Sequence, residues 1–278
     1  MTASALALVA NARMYAVNHR VESLWRDLFE GIAVTSGVEL LVVAHRAPLP
    51  LPDLWHRQDL GAAFMCGYPW IEWHEDASRP MPIAVPLRID EDPSARSTYV
   101  TDIVVRSDSD ARDIRDLRGR RLAYTTPESQ SGYQAPRELL AENGAAAGTA
   151  WFSSTVGPLF TPRRVVDAVL AREADGGPLD DYWHALLRRH EPETAARLRV
   201  IATTPPAPMP FLVASSQVPD SIRDRIAHAL VSASRVLALR GVLDALGLVG
   251  FAAVEPARYR QLSRMSRAAD ALGYVQLR

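Results

Sequence analysis

Short, dense apolar runs alternate along this chain with segments whose apolar residues return every three or four positions. ALALVANA has the length of a buried strand. In RVESLWRDLFEGIAVTSG, the residues Val21, Leu24, Trp25, Leu28 and Ile32 fall on one helical face, and Gly37 closes the segment. VELLVVAH, LGAAFMCG and MPIAVPLRI read as three further strands, the first dense in β-branched residues. STYVTDIVVRSDSD alternates and then runs apolar, as a strand entering a sheet does.

The rhythm then restarts. IRDLRGRRLAYTT predicts a turn and a strand, and SGYQAPRELLAENG a helix closed by Gly144. TAWFSST, ADGGPL and RLRVIATT predict strands, separated by the helices TPRRVVDAVLARE and DDYWHALLRRH. Thr161 is placed to cap the first of these helices, with Pro162 at its first position. After PPAPMP and FLVAS, PDSIRDRIAHALVSASRVLALRG predicts one long helix from Asp220 to Gly241, and two further helical stretches finish the chain.

Strands alternating with helices predict an α/β protein with parallel sheets. There is no internal repeat and no low-complexity tract. The chain leaves the first sheet near Ser107 and returns near Phe211, which predicts two α/β lobes joined by two crossing strands. Residues 1–104 and 214–278 would form lobe one and residues 105–213 lobe two, with the tail helices packing back on lobe one.

The 278 residues carry a formal net charge of −1, so no global basic field points to nucleic acid or an acidic membrane. Every one of the 31 basic residues is arginine. A Schiff-base lysine and a Walker-type phosphate loop are therefore excluded. Cys66 is the one cysteine, which rules out an internal disulfide; it reads as a small packed apolar side chain. No apolar run reaches the ~18 residues of a membrane span. Ala10-Asn11-Ala12 mimics a cleavage site, but the first arginine, Arg13, follows the apolar run. The stretch is thus expected to remain as a first strand, which favours a cytoplasmic chain.

The chemistry concentrates in TTPESQSGYQAPRELLAENG, Thr125 to Gly144. Ser131 and Gln134 have capping-box spacing, Gly132 leaves the backbone open to close approach, and Pro136 falls where a missing N–H costs little. A helix entrance offers unpaired N–H groups and the positive end of the helix dipole. The hydroxyls of Thr126, Ser129 and Ser131 would complete a seat for a phosphate-, phosphonate- or carboxylate-like anion, unless Ser131 simply caps its own helix.

Other polar clusters read as structural. Glu72, His74, Glu75 and Asp76 match no compact metal motif and suit a polar rim loop. Asp181 reads as a helix cap and Asp180 as a ligand contact. Trp70 and Trp73 suit packing or a cleft edge, and His184 and His190, six apart on one helix, suit solvent. No nucleophile elbow, dinucleotide fingerprint or zinc-protease motif is present, and no cofactor or metal is predicted.

An ordered set of segments resembles the phosphonate-binding proteins of ABC uptake systems. It comprises Tyr99 on its strand, Val104 to Ser109, Asp116-Leu117-Arg118-Gly119-Arg120-Arg121, and Ser129 through Leu140. VVDAVLAREADGGPLDDYW downstream, and FMCGYPW and ANARMY upstream, extend the likeness over most of the chain. The resemblance implies a bilobed type 2 periplasmic-binding fold, with the ligand between the lobes. Carried over by position, it points to Tyr15, Tyr68 and Tyr99 from lobe one and to Ser129, Gln130, Ser131 and Asp180 from lobe two, with Tyr133 facing either ligand or core. The chain departs from the family at Gln130, which replaces a hydroxyl. It departs again in GPLFTPRR, which lacks the family's histidine and offers Arg163 or Arg164 instead.

The expected function is a solute-binding protein for a small anionic ligand, working without chemistry by hinge motion near residues 104–107 and 210–214. Its partners would be that ligand and an ABC transporter permease, with no nucleic acid and no membrane span; the resemblance implies a periplasmic location. Two alternatives use the same fold. One is a cytoplasmic enzyme of dehydratase or pyrimidine-synthase type, with Asp180 or Glu128 as base; the other is a ligand sensor.

Overall fold

The computed structural model describes residues 7–73, 77–89, 97–145 and 150–278, so His74, Glu75 and Asp76 of the proposed rim loop lie outside the described residues. Two compact units emerge. One comprises Met1–Thr98 and Pro208–Arg258, the other Tyr99–Ala207 and Tyr259–Arg278.

The sheet of the first unit runs Leu248–Ala252, Met81–Arg88, Phe211–Ala214, Leu60–Met65, Leu8–Asn11, Leu40–Val42. Leu8–Asn11 pairs in parallel with both of its neighbours, and the remaining pairings are antiparallel. The sheet is thus mixed rather than parallel throughout. Leu60–Met65 is buried at every position, which is why it reads as a continuous apolar run. Helix His19–Ser36 is capped by the Asn18 side chain and ends at Gly37, whose φ of 63° is the left-handed conformation that glycine adopts without strain. Its face buries Val21, Trp25, Leu28, Phe29 and Ile32. Phe64 packs edge-on against Tyr15 at 4.7 Å and Trp25 at 5.0 Å between ring centroids, a preferred aromatic geometry.

The second unit holds a five-stranded sheet ordered Leu198–Thr203, Thr101–Arg106, Gly176–Asp180, Arg121–Ala123, Ser154–Val156. The last three of these run parallel to one another, and Thr101–Arg106 is antiparallel to both of its neighbours.

Four expectations need correction. The chain passes between units at 98–99 and 207–208, several residues before each expected boundary, because Thr101–Arg106 pairs wholly within the second sheet and Phe211–Ala214 within the first. A third passage follows at 258–259, and helix Arg260–Ala271 belongs to the second unit rather than to lobe one. The long tail helix stops at Val231 and resumes only as Arg240–Ala245. Ala233 and Leu239 are buried while Leu237 is 76% exposed, a spacing that no single helical face provides, and Val236 between them is extended. Leu248–Ala252 is a strand rather than part of the expected helical tail; it pairs antiparallel with Met81–Arg88 through a register shift between Leu248 and Gly250.

Candidate functional site

Three helices of the second unit start at one edge of its sheet. The parallel strands Arg121–Ala123, Ser154–Val156 and Gly176–Asp180 all end there, and each leads into a helix start. These starts are capped by Ser129, Thr161 and Asp180 respectively. Each entrance presents the positive end of a peptide dipole, so the edge is electropositive without a single lysine. The carboxyl edge of parallel strands is also where open α/β sheets hold ligands.

The first entrance is unusual in detail. The Ser129 hydroxyl accepts from the Gly132 N–H at 2.9 Å, so Ser129 and not Ser131 is the cap. Gln134 does not reach back to Ser131; its amide donates to the Pro127 carbonyl at 2.7 Å. The Gln134 N–H bonds the Ser129 carbonyl at 3.0 Å and the Ala135 N–H bonds the Gln130 carbonyl, a wide turn of i→i−5 bonds over Gln130–Gln134. Pro136 has no N–H to bond the preceding turn, and the Gly132 carbonyl instead accepts from Thr125 at 3.4 Å. Among the described residues the N–H groups of Gln130 and Ser131 and the Ser131 hydroxyl bond no protein acceptor.

Gly132 has a packing reason. A Cβ built there would lie 1.8 Å from Thr125 Oγ1 and 2.9 Å from Ser129 Oγ. The turn therefore sits directly on the strand end, with Thr125 Oγ1 buried and making no hydrogen bond among the described residues. Gln130 is 1% exposed and its side-chain oxygen likewise bonds nothing there, so its contribution to the entrance is the backbone N–H.

The remaining candidates divide between the units. Asp180 is buried, and its Oδ1 accepts from Tyr182 N at 2.9 Å and Trp183 N at 3.0 Å. It therefore takes the capping role expected of Asp181, whose carboxylate accepts from Val100 N at 3.2 Å. Tyr15 lies in the aromatic core of the first unit and Tyr68 is half-buried at that unit's short helix Gly67–Ile71. Tyr99, expected from lobe one, begins the second unit and is buried. Tyr133 turns to the core: it packs edge-on against Tyr124, and its hydroxyl accepts from Leu277 N at 3.0 Å. Arg163 bonds Glu191 at 2.5 Å and Arg164 is exposed. His184 is buried rather than exposed, with Nδ1 2.7 Å from Asp102 Oδ2, and it ties helix Asp181–His190 to strand Thr101–Arg106. Among the described residues no group of side chains forms a metal site, and no helix is long and apolar enough to cross a membrane.

Behind the entrance, Glu138 is pushed up to about 7 by burial, with Glu142 raising it further and Arg137 opposing. The unfolded chain ionises this group near 4.5, so the folded state holds the proton longer and stability falls as pH rises between those two values. The gap corresponds to roughly 3 kcal/mol. Glu138→Gln is expected to stabilise the protein by about 2–3 kcal/mol at pH 8 and to have little effect at pH 4.5. Denaturant melts at the two pH values read the difference; an equal change at both would show that ionisation is not involved.

The sequence profile described as "ABC transporter, phosphonate, periplasmic substrate-binding protein" matches residues 18–259. The chain belongs to this family. It is a solute-binding protein of the α/β, type 2 periplasmic-binding fold, from a family that is periplasmic and acts with ABC transporters. The binding protein component of an ABC phosphonate transporter from Pseudomonas aeruginosa is similar to it at a TM-score of 0.80 and 17% identity, over 95% of this chain and 87% of the other. PhnD1 from Prochlorococcus marinus, in complex with methylphosphonate, reaches 0.79 at 15% identity, over 96% and 99%. XAC2383 from Xanthomonas citri, bound to ATP, reaches 0.65 at 19%, over 97% and 98%. At such identities the likeness shows the fold alone. Among curated protein sequences none matches.

The serine-rich motif of this phosphonate-family protein was legible in its sequence. The convergence of the Thr161 entrance with the other two was not drawn from it. The signal was present, since each cap lies at or within a short loop after a strand, and parallel strands carry such caps to one edge.

Proposed function

We propose that this family member captures a compact oxyanion, of phosphonate or phosphate type, at the Ser129–Ser131 turn, and hands it to an ABC permease from the periplasmic side of the membrane. The observation that carries the reading is the set of unbonded donors at this turn, the N–H groups of Gln130 and Ser131 with the Ser131 hydroxyl, on a sheet edge where two more helices begin. Neutral donors suit a ligand that must be released, because they bind an anion without a permanent counter-charge. Methylphosphonate in the Prochlorococcus marinus relative supports the same ligand class here. With Oδ1 engaged as a cap, Asp180 serves the site by fixing the third helix entrance.

The test is isothermal titration of methylphosphonate, phosphate and acetate into wild type and Ser131→Ala. Loss of one hydrogen bond to a charged group is expected to weaken phosphonate binding by roughly 10- to 100-fold. Equal affinities in the two proteins would remove the turn from the site.

A further inference from the structure

At the opposite end of the same sheet lies a polar cavity of about 330 Å³. Strand Thr101–Arg106 ends there, and Arg121–Ala123 and Gly176–Asp180 begin there, each reaching the ligand edge at its other end. Four arginines line it: Arg106, Arg120, Arg121 and Arg172. Three carboxylates, Asp108, Asp110 and Asp175, oppose them.

These pairs are not equal. Arg121 is held firmly: Nε and Nη2 reach the two oxygens of Asp175 at 3.1 and 2.9 Å, and the Arg121 backbone N–H bonds the same carboxylate. The other carboxylates lie in solvent, with Asp110 80% and Asp108 61% exposed at the side chain, although Asp108 Oδ1 accepts from Arg106 Nε at 2.8 Å and Nη2 at 2.5 Å. Exposed pairs of this kind contribute about 0–1 kcal/mol, so an incoming anion displaces them at small cost. Arg120 commits only Nη1, to Asp110 at 2.7 Å, and Arg172 only Nη2, to Asp108 at 3.4 Å. Their other guanidinium nitrogens bond nothing among the described residues.

The loop bearing the exposed carboxylates is itself anchored. Arg199 Nη2 donates to the carbonyls of Ser109 at 2.7 Å and Ala111 at 2.9 Å. Arg172 follows the end of helix Pro162–Leu170 with φ of 64°, where glycine is the usual residue. A strained arginine at a helix end, aimed at a cavity already rich in arginine, has no packing role that a glycine would not fill better.

We propose that this cavity is a second anion site, separate from the Ser129–Ser131 turn, which takes a small molecule carrying two or more phosphate or carboxylate groups. Arg121 marks its fixed wall, and Arg106, Arg120 and Arg172 exchange their exposed aspartates for the ligand. Planar guanidinium forks match such oxyanions in pairs, which a point charge cannot do.

The experiment titrates pyrophosphate and citrate, as probes, into wild type, Arg120→Gln/Arg172→Gln, Arg172→Gly and Ser131→Ala at low ionic strength. The double variant is expected to lose at least about tenfold in affinity for one or both probes, with Ser131→Ala unchanged. Arg172→Gly relieves the left-handed backbone, so it should fold at least as well as wild type yet still bind more weakly. Absence of binding by wild type overturns the proposal. So does a loss confined to Ser131→Ala, which would place the probes at the turn instead.

Discussion

Arg137→Ala is expected to release the C-terminal segment of the second unit. Arg137 is 2% exposed, and its guanidinium is the hub between two helices. Nη1 bonds the Asp270 carboxylate and the Tyr274 carbonyl; Nη2 bonds Gln134 Oε1 at 2.9 Å, the Ser266 carbonyl at 3.0 Å and the Ser266 hydroxyl at 2.7 Å. A buried, planar, multiply bonded cation is replaceable neither by alanine nor by lysine, whose point charge cannot span these acceptors. Removing it strands the Tyr274 carbonyl and the Gln134 side chain beside a contact that also buries Ala269, Tyr274 and Leu277. Each buried polar group left unbonded costs about 1–3 kcal/mol. Hydrogen exchange should show residues 259–278 losing protection in both Arg137→Ala and Arg137→Lys, while peptides of the first unit stay protected. Unchanged protection in that segment would mean that apolar contact alone holds the helix.

This network explains why the tail was misplaced from sequence. The pattern in RQLSRMSRAADA says only that a helix forms with an apolar stripe; Leu262, Ser266 and Ala269 are the residues it buries. Which unit receives that stripe is decided by a buried Arg137 facing Ser266 and Asp270, 129 and 133 residues away, and no local pattern encodes that pairing. The helices His19–Ser36, Pro162–Leu170 and Asp181–His190 were legible because apolar period and caps agree there, whereas the short helix Pro192–Ala196 went unread. Thr161 caps its helix through Arg164 N as its position before Pro162 implies. Agreement failed where two readings competed for one residue. Ser131 has capping-box spacing to Gln134, but Ser129 is one i→i+3 step before Gly132, and the wide turn forced by Pro136 gives Ser129 the cap. The same displacement leaves the Ser131 hydroxyl unbonded among the described residues. His184 looked exposed because its partner, Asp102, lies 82 residues earlier on a neighbouring strand.

Gly132→Ala is expected to disable the proposed anion seat more thoroughly than loss of any single hydroxyl. The added Cβ would meet Thr125 Oγ1 at 1.8 Å, Ser129 Oγ at 2.9 Å and Thr125 Cβ at 2.9 Å. None of these atoms is the far end of a flexible chain, so either the strand end or the turn must move. Moving the turn breaks the Ser129 cap and the Thr125 N–H to Gly132 carbonyl bond together, and it re-aims the free N–H groups of Gln130 and Ser131. Overpacking of this kind costs about 1–3 kcal/mol of stability. Phosphonate affinity should fall by about 100-fold or more, since several donors lose their common focus at once. Thr125→Ala removes the closest of the three contacts and a buried hydroxyl with no bond of its own, so it should be nearly silent alone and should partly restore binding in the double variant. Rescue is the informative readout, because a general loss of folding would not be repaired by shortening the side chain closest to Gly132. A double variant as weak as Gly132→Ala would mean that the glycine is needed for something other than its fit against Thr125.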